Sequence, residues 1–417
     1  MKGPGTAVRL SWMLFACVAS TAGAQTLPSE PISIAGGRVT VGGDVTGTWG
    51  PDDPGFFNDT DYGHSALRML RIDVSAAVKM GPHFTFLGEV RSENTTVRPY
   101  ALYLRIRPWT AREFDIQVGR VPPTFGAFAR RTYASDNPLI GYPLGYQYMT
   151  TMRADALAQS VDELLQKRSQ GWGFLYSVGN RAFLGGVALV SAFRWDTGVQ
   201  VHGTAGMLSA TAAVTAGTVS NPLFHDDNSG RQVAGRVELR PVAGLVAGTS
   251  LAWGPFLSGD AARAATVPLP ARVAPGNLAD GEEKAFTQTA WGADLEYSRD
   301  HYIIRFETIV SAWRLPAVRQ PALPSSLDSL ATYIEGRYKL RPRLYVAARV
   351  ENLAFSDVTG TRTTLGWDAP VSRVEVGGGY SIQRNLLLKL AYQYNKRGAG
   401  KEIPEAHLPA VQLLFWF

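Results

Sequence analysis

The chain has one cysteine, Cys17, in 417 residues, and it falls near the N-terminus, so neither a disulfide framework nor thiol chemistry organises the rest. Long apolar runs are missing too. After Gln25 no stretch approaches the ~18 uncharged apolar residues that a membrane helix needs, which excludes an all-helical membrane protein. An excess of one charge is also lacking. The formal net charge is +6, and no basic run with interleaved aromatics marks a nucleic-acid surface. The 6 histidines are His64, His83, His202, His225, His301 and His407. None stands in a Ser/His signature of the kind an acyl-transfer site requires. His225-Asp226-Asp227-Asn228 reads as a solvated turn rather than a metal site, so neither metal nor cofactor is expected.

The N-terminus carries a basic start at Lys2 and Arg9, an apolar core from Leu10 to Ala19, and the small-x-small pattern Ala22-Gly23-Ala24. This is the grammar of a secretory signal over residues 1–24, with cleavage before Gln25. Leu14-Phe15-Ala16-Cys17 fits a lipoprotein box poorly because of the bulky Phe15. An exported chain of residues 25–417 is expected.

Short alternating segments recur along that chain. The reading places strands near 32–48, 64–80, 84–93, 98–107 and 113–121, then a connection over 122–170. Further strands are expected at 171–179, 182–195, 198–205, 208–219, 231–240, 244–255, 285–298, 302–314, 329–340, 343–355, 370–382, 385–395 and 409–417. Short turns alternate with long loops, which puts all short turns at one end of an antiparallel sheet.

Along the strands one face is free of charge. Leu344, Val346, Ala348 and Val350 oppose Arg343, Arg349 and Glu351, and Leu70, Ile72, Val74 and Val78 oppose Arg71, Asp73 and Lys79. A soluble sandwich alternates in the same way. Size decides: nearly four hundred residues of antiparallel strands with no helical layer would need several sandwich domains with linkers, and none is visible. The expected fold is all-β, one transmembrane antiparallel barrel of about 16–18 strands spanning residues 25–417. Phe84, Trp109, Tyr297, Tyr302, Tyr338 and Phe417 fall near short turns, and Trp49, Trp195, Trp253 and Trp313 toward long loops, where interfacial girdles belong.

A barrel of that size has a lumen too wide for wall side chains to fill. The 122–170 connection is the expected filler, with a helix from about Arg153 to Lys167 whose Leu157, Val161, Leu164 and Leu165 share one side. It is read as a long third loop folding inward, with Arg130, Arg131 and Arg153 as constriction candidates. Small residues between 182 and 219 serve either to seat this loop or to form a close subunit contact. Lumen-lining candidates are Arg71, Arg105, Arg107, Arg305, Arg337, Arg349, Arg373 and Lys389, interleaved with acids such as Asp73, Glu296, Glu335, Glu351 and Glu375. Interleaved signs chiefly pair across neighbouring strands; a ring of one sign would instead set ion selectivity.

The ending Val411-Gln-Leu-Leu-Phe-Trp-Phe417 resembles the closing strand of bacterial outer-membrane barrels, whose last aromatic is read by the barrel-insertion machinery. Gly119-Arg120-Val121-Pro122-Pro123-Thr124-Phe125-Gly126 resembles the signature of the phosphate-selective porin O and P family, with Thr124 where proline is usual. The resemblance implies a porin of the outer membrane, embedded in its lipid, a trimer of sixteen-stranded barrels and passage of small hydrophilic solutes. The expected function is passive diffusion with at most a weak preference for anions. An outer-membrane hydrolase on the same scaffold is the alternative, and an energy-coupled receptor is excluded because only about seven residues separate Gln25 from the first strand.

Overall fold

The structure, a computed structural model, describes residues 30–60, 63–192, 194–266, 282–316, 323–398 and 403–417. The expected export signal lies outside the described residues. Sixteen long strands form the wall: β1 (Val39–Trp49), β2 (Met69–Lys79), β3 (Phe84–Glu93), β4 (Thr96–Ile106), β5 (Phe114–Val121), β6 (Asp196–Ala205), β7 (Leu208–Thr215) and β8 (Gln232–Leu239). They continue with β9 (Leu245–Pro255), β10 (Thr287–Arg299), β11 (Tyr302–Arg314), β12 (Ser326–Arg341), β13 (Leu344–Phe355), β14 (Val371–Gln383), β15 (Leu386–Arg397) and β16 (Glu405–Trp416).

Each strand pairs antiparallel with its sequence neighbour, and β1 pairs with β16 from Asp44 opposite Trp416 to Trp49 opposite Val411, so the sheet closes with no free edge. Phe417 extends the seam by exchanging backbone hydrogen bonds with Gly43 at 2.9 and 3.1 Å. Its ring occupies the place a Cβ on Gly43 would take. A three-residue strand, Ile32–Ile34, pairs with the start of β1.

Strand parity sorts the wall as expected. Ile72, Val74, Val346, Val350, Val374, Val376, Leu390 and Leu413 are exposed on the outer face, while Arg71, Asp73, Arg349, Glu351, Arg373, Glu375 and Lys389 are buried within. A charge facing lipid at mid-bilayer costs roughly 2–4 kcal/mol, so an outer belt free of charge over this height is the mark of a membrane wall.

Four expectations are corrected. Residues 171–179 and 182–195 are not wall strands, so the count is sixteen and the third loop spans 122–195. Phe174, Tyr176, Val178, Val187, Leu189 and Val190 are buried, but against the lumen's contents rather than against lipid; an inserted hairpin shows the same alternation as a wall hairpin. The helix is shorter than the 153–167 expected: only Val161–Gln166 is α-helical, and the Ser160 side chain accepts from the Glu163 amide to cap it, while Ala156–Leu157 pairs with Val178–Gly179. Long and short connections do not alternate strictly, because β3 and β4 are joined at Asn94 in a tight turn with φ +50°. Trp195 and Trp313 are not girdle residues. Trp313 shares the inward parity of Arg305, Glu307 and Ser311, is 0% exposed and packs edge-on to Trp367 at 5.6 Å, and Trp195 packs on Tyr100 and Tyr103.

Candidate pore and its third-loop plug

The chain leaves the wall at the Gly119–Gly126 segment. Gly119 has φ +131°, and a Cβ there would meet the Leu102 carbonyl at 2.3 Å, so glycine is required where β5 bends away. Thr124 Oγ1 accepts from Gln200 at 2.6 Å. Phe125 then crosses to the opposite wall and packs where only Gly292 leaves room. The Gly126 amide donates to Ser250 at 3.0 Å and the Ala127 amide to Glu307 at 2.8 Å, so the turn is clamped on β9 and β11.

From there residues 132–144 run across a set of wall charges, and the wall's alternating signs match the alternating donors and acceptors of the loop backbone. Arg71 donates to the Thr132 carbonyl and the Tyr142 hydroxyl. Lys389 donates to the carbonyls of Ala134, Asn137 and Leu139. Arg349 donates to the Gly141 carbonyl at 2.8 Å and Arg373 to that of Tyr142 at 3.0 Å. In the other direction the amides of Ile140 and Gly141 donate to Glu375, and that of Leu144 donates to Glu351 at 2.6 Å. Hydrogen bonds to charged groups contribute about 1.5–3 kcal/mol each, and an orphaned backbone group at these depths would cost as much.

A second loop, 50–68, is drawn in as well. Arg373 donates to the Phe57 carbonyl and Arg397 to that of Gly55, while Gln147 of the third loop donates to the Asn58 carbonyl. In loop 356–370 the buried Asp368 carboxylate accepts from the amides of Thr151 and Ser169, and burial pushes its pKa up. The long-loop half of the lumen is thereby an apolar core, in which Phe128, Tyr142, Tyr146, Leu157 and Leu189 pack on Ala234, Ala290, Ile309, Ala331, Leu353 and Ala391 of the wall.

The sequence-derived site residues divide accordingly. Arg71, Arg349, Arg373 and Lys389 are loop anchors, each 0–1% exposed, rather than groups facing a free lumen. Arg153, also 0% exposed, is not at a constriction: it braces the loop internally through Asp155 and the carbonyls of Phe174 and Ala182. Arg305 bridges Glu296 and Glu335 at 2.7 and 3.0 Å. Nothing is described for the Arg130 side chain.

Arg131 is where the loop meets open space. It reaches Glu296 at 3.3 Å and, with Arg236, Arg240, Arg305 and Asp294, lines a cavity of about 230 Å³ on the short-turn side. On the other side of the Pro122–Phe125 crossing a cavity of about 30 Å³ remains, bounded by Thr124, Ala213 and Ala234. Small inward residues on β7 and β8 therefore do seat the loop.

Toward the short turns the pairing of signs ends. Arg105 is partly buried with its Nε unbonded, Arg107 is exposed, and Arg337 lies 5.8 Å over the Tyr345 ring. Arg38, Lys79 and Lys339 also stand at the short-turn end, so the six fall on or beside β1, β2, β4 and β12, and among the described residues none of the six has an acidic partner. Sequence reasoning missed the anchoring roles of Glu307, Glu351 and Glu375 and the insertion of loop 50–68, because both depend on pairings between residues far apart in the chain, from 89 positions for Gln147 with Asn58 to 342 for Arg397 with Gly55.

No family model matches the chain, and no curated protein does either. Solved structures do. OmpT, an outer membrane protein of Vibrio cholerae, is 13% identical with TM-score 0.53, covering 92% of this chain and 99% of that one. An anion-selective porin from Comamonas acidovorans is 9% identical with TM-score 0.51, covering 91% and 99%. The outer membrane channel DcaP of Acinetobacter baumannii is 10% identical with TM-score 0.50, covering 93% and 100%. The likeness is one of fold along almost the whole chain. Together with the apolar outer belt it makes this a membrane-spanning β-barrel.

Proposed function

We propose that the barrel is an outer-membrane channel through which small hydrophilic solutes diffuse passively, with a weak preference for anions. The observation that carries this reading is the contrast in the lumen. Deep charges pair with one another or with the plug, whereas Arg38, Lys79, Arg105, Arg107, Arg337 and Lys339 at the short-turn mouth are left to act on solute. Cations of one sign lining a low-dielectric mouth concentrate anions and repel cations. We place the route past the Pro122–Arg131 segment, where the plug makes it narrow. Residues 1–24 act as the export signal.

The outer face of β6–β8 carries small residues, Gly203, Ala210, Ala212 and Gly235, that leave a groove of about 860 Å³ into which a second barrel can pack closely, and we assign the subunit contact of a homotrimer to it.

Reversal potentials of reconstituted protein in a salt gradient test the selectivity. The expected sign is that of anion preference, reversed in the Arg105→Glu, Arg337→Glu double variant. Cation preference in the unaltered chain would refute it.

A further inference from the structure

The outer wall is not uniformly smooth. Between β11 and β15, in the half nearer the short turns, lies a groove of about 900 Å³ whose lining is almost wholly apolar. Its floor exists because side chains are missing: Gly336 sits opposite Ala348, and Gly378 opposite Val346, all on the outward parity. A Cβ built on Gly336 would meet nothing within 4 Å. Tyr302, Tyr338, Tyr380 and Tyr392 stand around it.

The charge beside the groove indicates what fills it. The three turns at its end, 299–301, 341–343 and 383–385, hold four arginines against one aspartate. Register places Arg299 opposite Tyr302 and Arg341 opposite Leu344, on the groove's own face, since Tyr302 and Leu344 line it. Arg299 has only the exposed Asp300 at 3.7 Å, and among the described residues Arg341 and Arg343 have no acidic partner. Arg384 is paired with Glu30 at 2.9 Å. A second copy packed on this face about a two-fold axis would bring Arg299, Arg341 and Arg343 to the contact from both sides, and like charges at an interface are costly. A diacyl lipid with an anionic headgroup instead puts apolar chains in the groove and a phosphate among the guanidinium groups, which bind phosphate through paired donors.

We propose that this groove is a binding site for an anionic phospholipid of the leaflet at the short-turn end of the barrel. The proposal rests on the membrane-barrel reading but not on the channel activity. The test is native mass spectrometry of the detergent-purified full barrel after incubation with equal phosphatidylglycerol and phosphatidylethanolamine. The unaltered barrel should retain phosphatidylglycerol preferentially. Taking roughly fivefold for each arginine near an anionic membrane surface, the Arg299→Gln, Arg341→Gln variant should lose about 25-fold of that preference. Gly336→Leu, which fills the floor, should reduce retention of both lipids. Heat-dependent gel migration verifies that each variant is folded, and unchanged conductance separates this site from the pore. Equal retention of the two lipids by the unaltered barrel, or a preference that survives loss of both arginines, would overturn the proposal. An oligomer that dissociates on Gly336→Leu would overturn it in favour of a subunit contact.

Discussion

Replacing Arg373 by methionine should release the third loop while leaving the wall intact. Arg373 is 1% exposed and donates to Asn395 at 2.6 Å on the neighbouring strand, to the Tyr142 carbonyl at 3.0 Å and to the Phe57 carbonyl at 2.7 Å. Two of these bonds hold inserted loops. Only the bond to Tyr142 holds the third loop, so at about 1.5–3 kcal/mol per charge-assisted bond its loss removes roughly 1.5–3 kcal/mol from that loop's docked state. With every 1.4 kcal/mol worth tenfold, the population with the loop lifted should rise by about one to two orders of magnitude. Glu351 and Glu375 keep Arg349 at 2.9 and 2.8 Å, so the wall is not left with uncompensated acid. The assay is maleimide labelling of Ala134→Cys in a chain lacking Cys17. Ala134 is 6% exposed and should react slowly in the parent, and at least about tenfold faster with Arg373→Met. Lys339→Met, which touches no part of the loop, is the control. Parent-like labelling in a folded Arg373→Met barrel would refute the anchoring argument.

Loop 50–68 should loosen as pH rises. Burial, with Asp53 adding to it, pushes the Asp59 carboxyl up to about 7. The folded loop therefore keeps a proton that the unfolded chain gives up near its ordinary value of about 4. Its stability is greatest below that value, is lost between pH 4 and 7, and is flat above. Amide protection over 50–68, corrected for the base-catalysed intrinsic exchange rate, should be weaker at pH 8 than at pH 5, and Asp59→Asn should flatten the difference. Gly119→Ala forces a Cβ into the Leu102 carbonyl at φ +131°. It should destabilise by at least about 1–3 kcal/mol, read as a lower midpoint of denaturant unfolding in detergent, and an unchanged midpoint would show that the β5 exit tolerates a side chain.

The wall was legible because lipid imposes a strict rule on it. In β13, Val346 and Val350 against Arg349 and Glu351 disclose both the strand and its outer face. The same rule could have corrected Trp313, which shares its parity with Arg305 and Glu307 and so had to point inward. What misled was 171–195, where Phe174, Tyr176 and Val178 alternate as wall residues do while their apolar face meets the lumen's own core. The roles of Arg71, Arg349, Arg373 and Lys389 were half legible: parity put them inside, and pairing of signs explains Arg349 with Glu335, Glu351 and Glu375. Their bonds to the carbonyls of residues 132–142 follow only from how the loop is threaded, and Lys389 with Ala134 joins positions 255 apart. Arg131 and Arg153 looked equivalent as loop arginines. Only the fold separates them, one at a cavity and the other enclosed by Phe174 and Asp155.

The conductance of the barrel with residues 127–189 replaced by a short Gly/Ser linker tests the central claim most directly. If the third loop fills the long-loop half of the lumen and sets the bore, the parent should give small unitary currents in planar bilayers and the shortened barrel, still heat-shifted on gels, should give currents several times larger. Equal unitary currents from the two would mean that the loop does not occupy the conduction path.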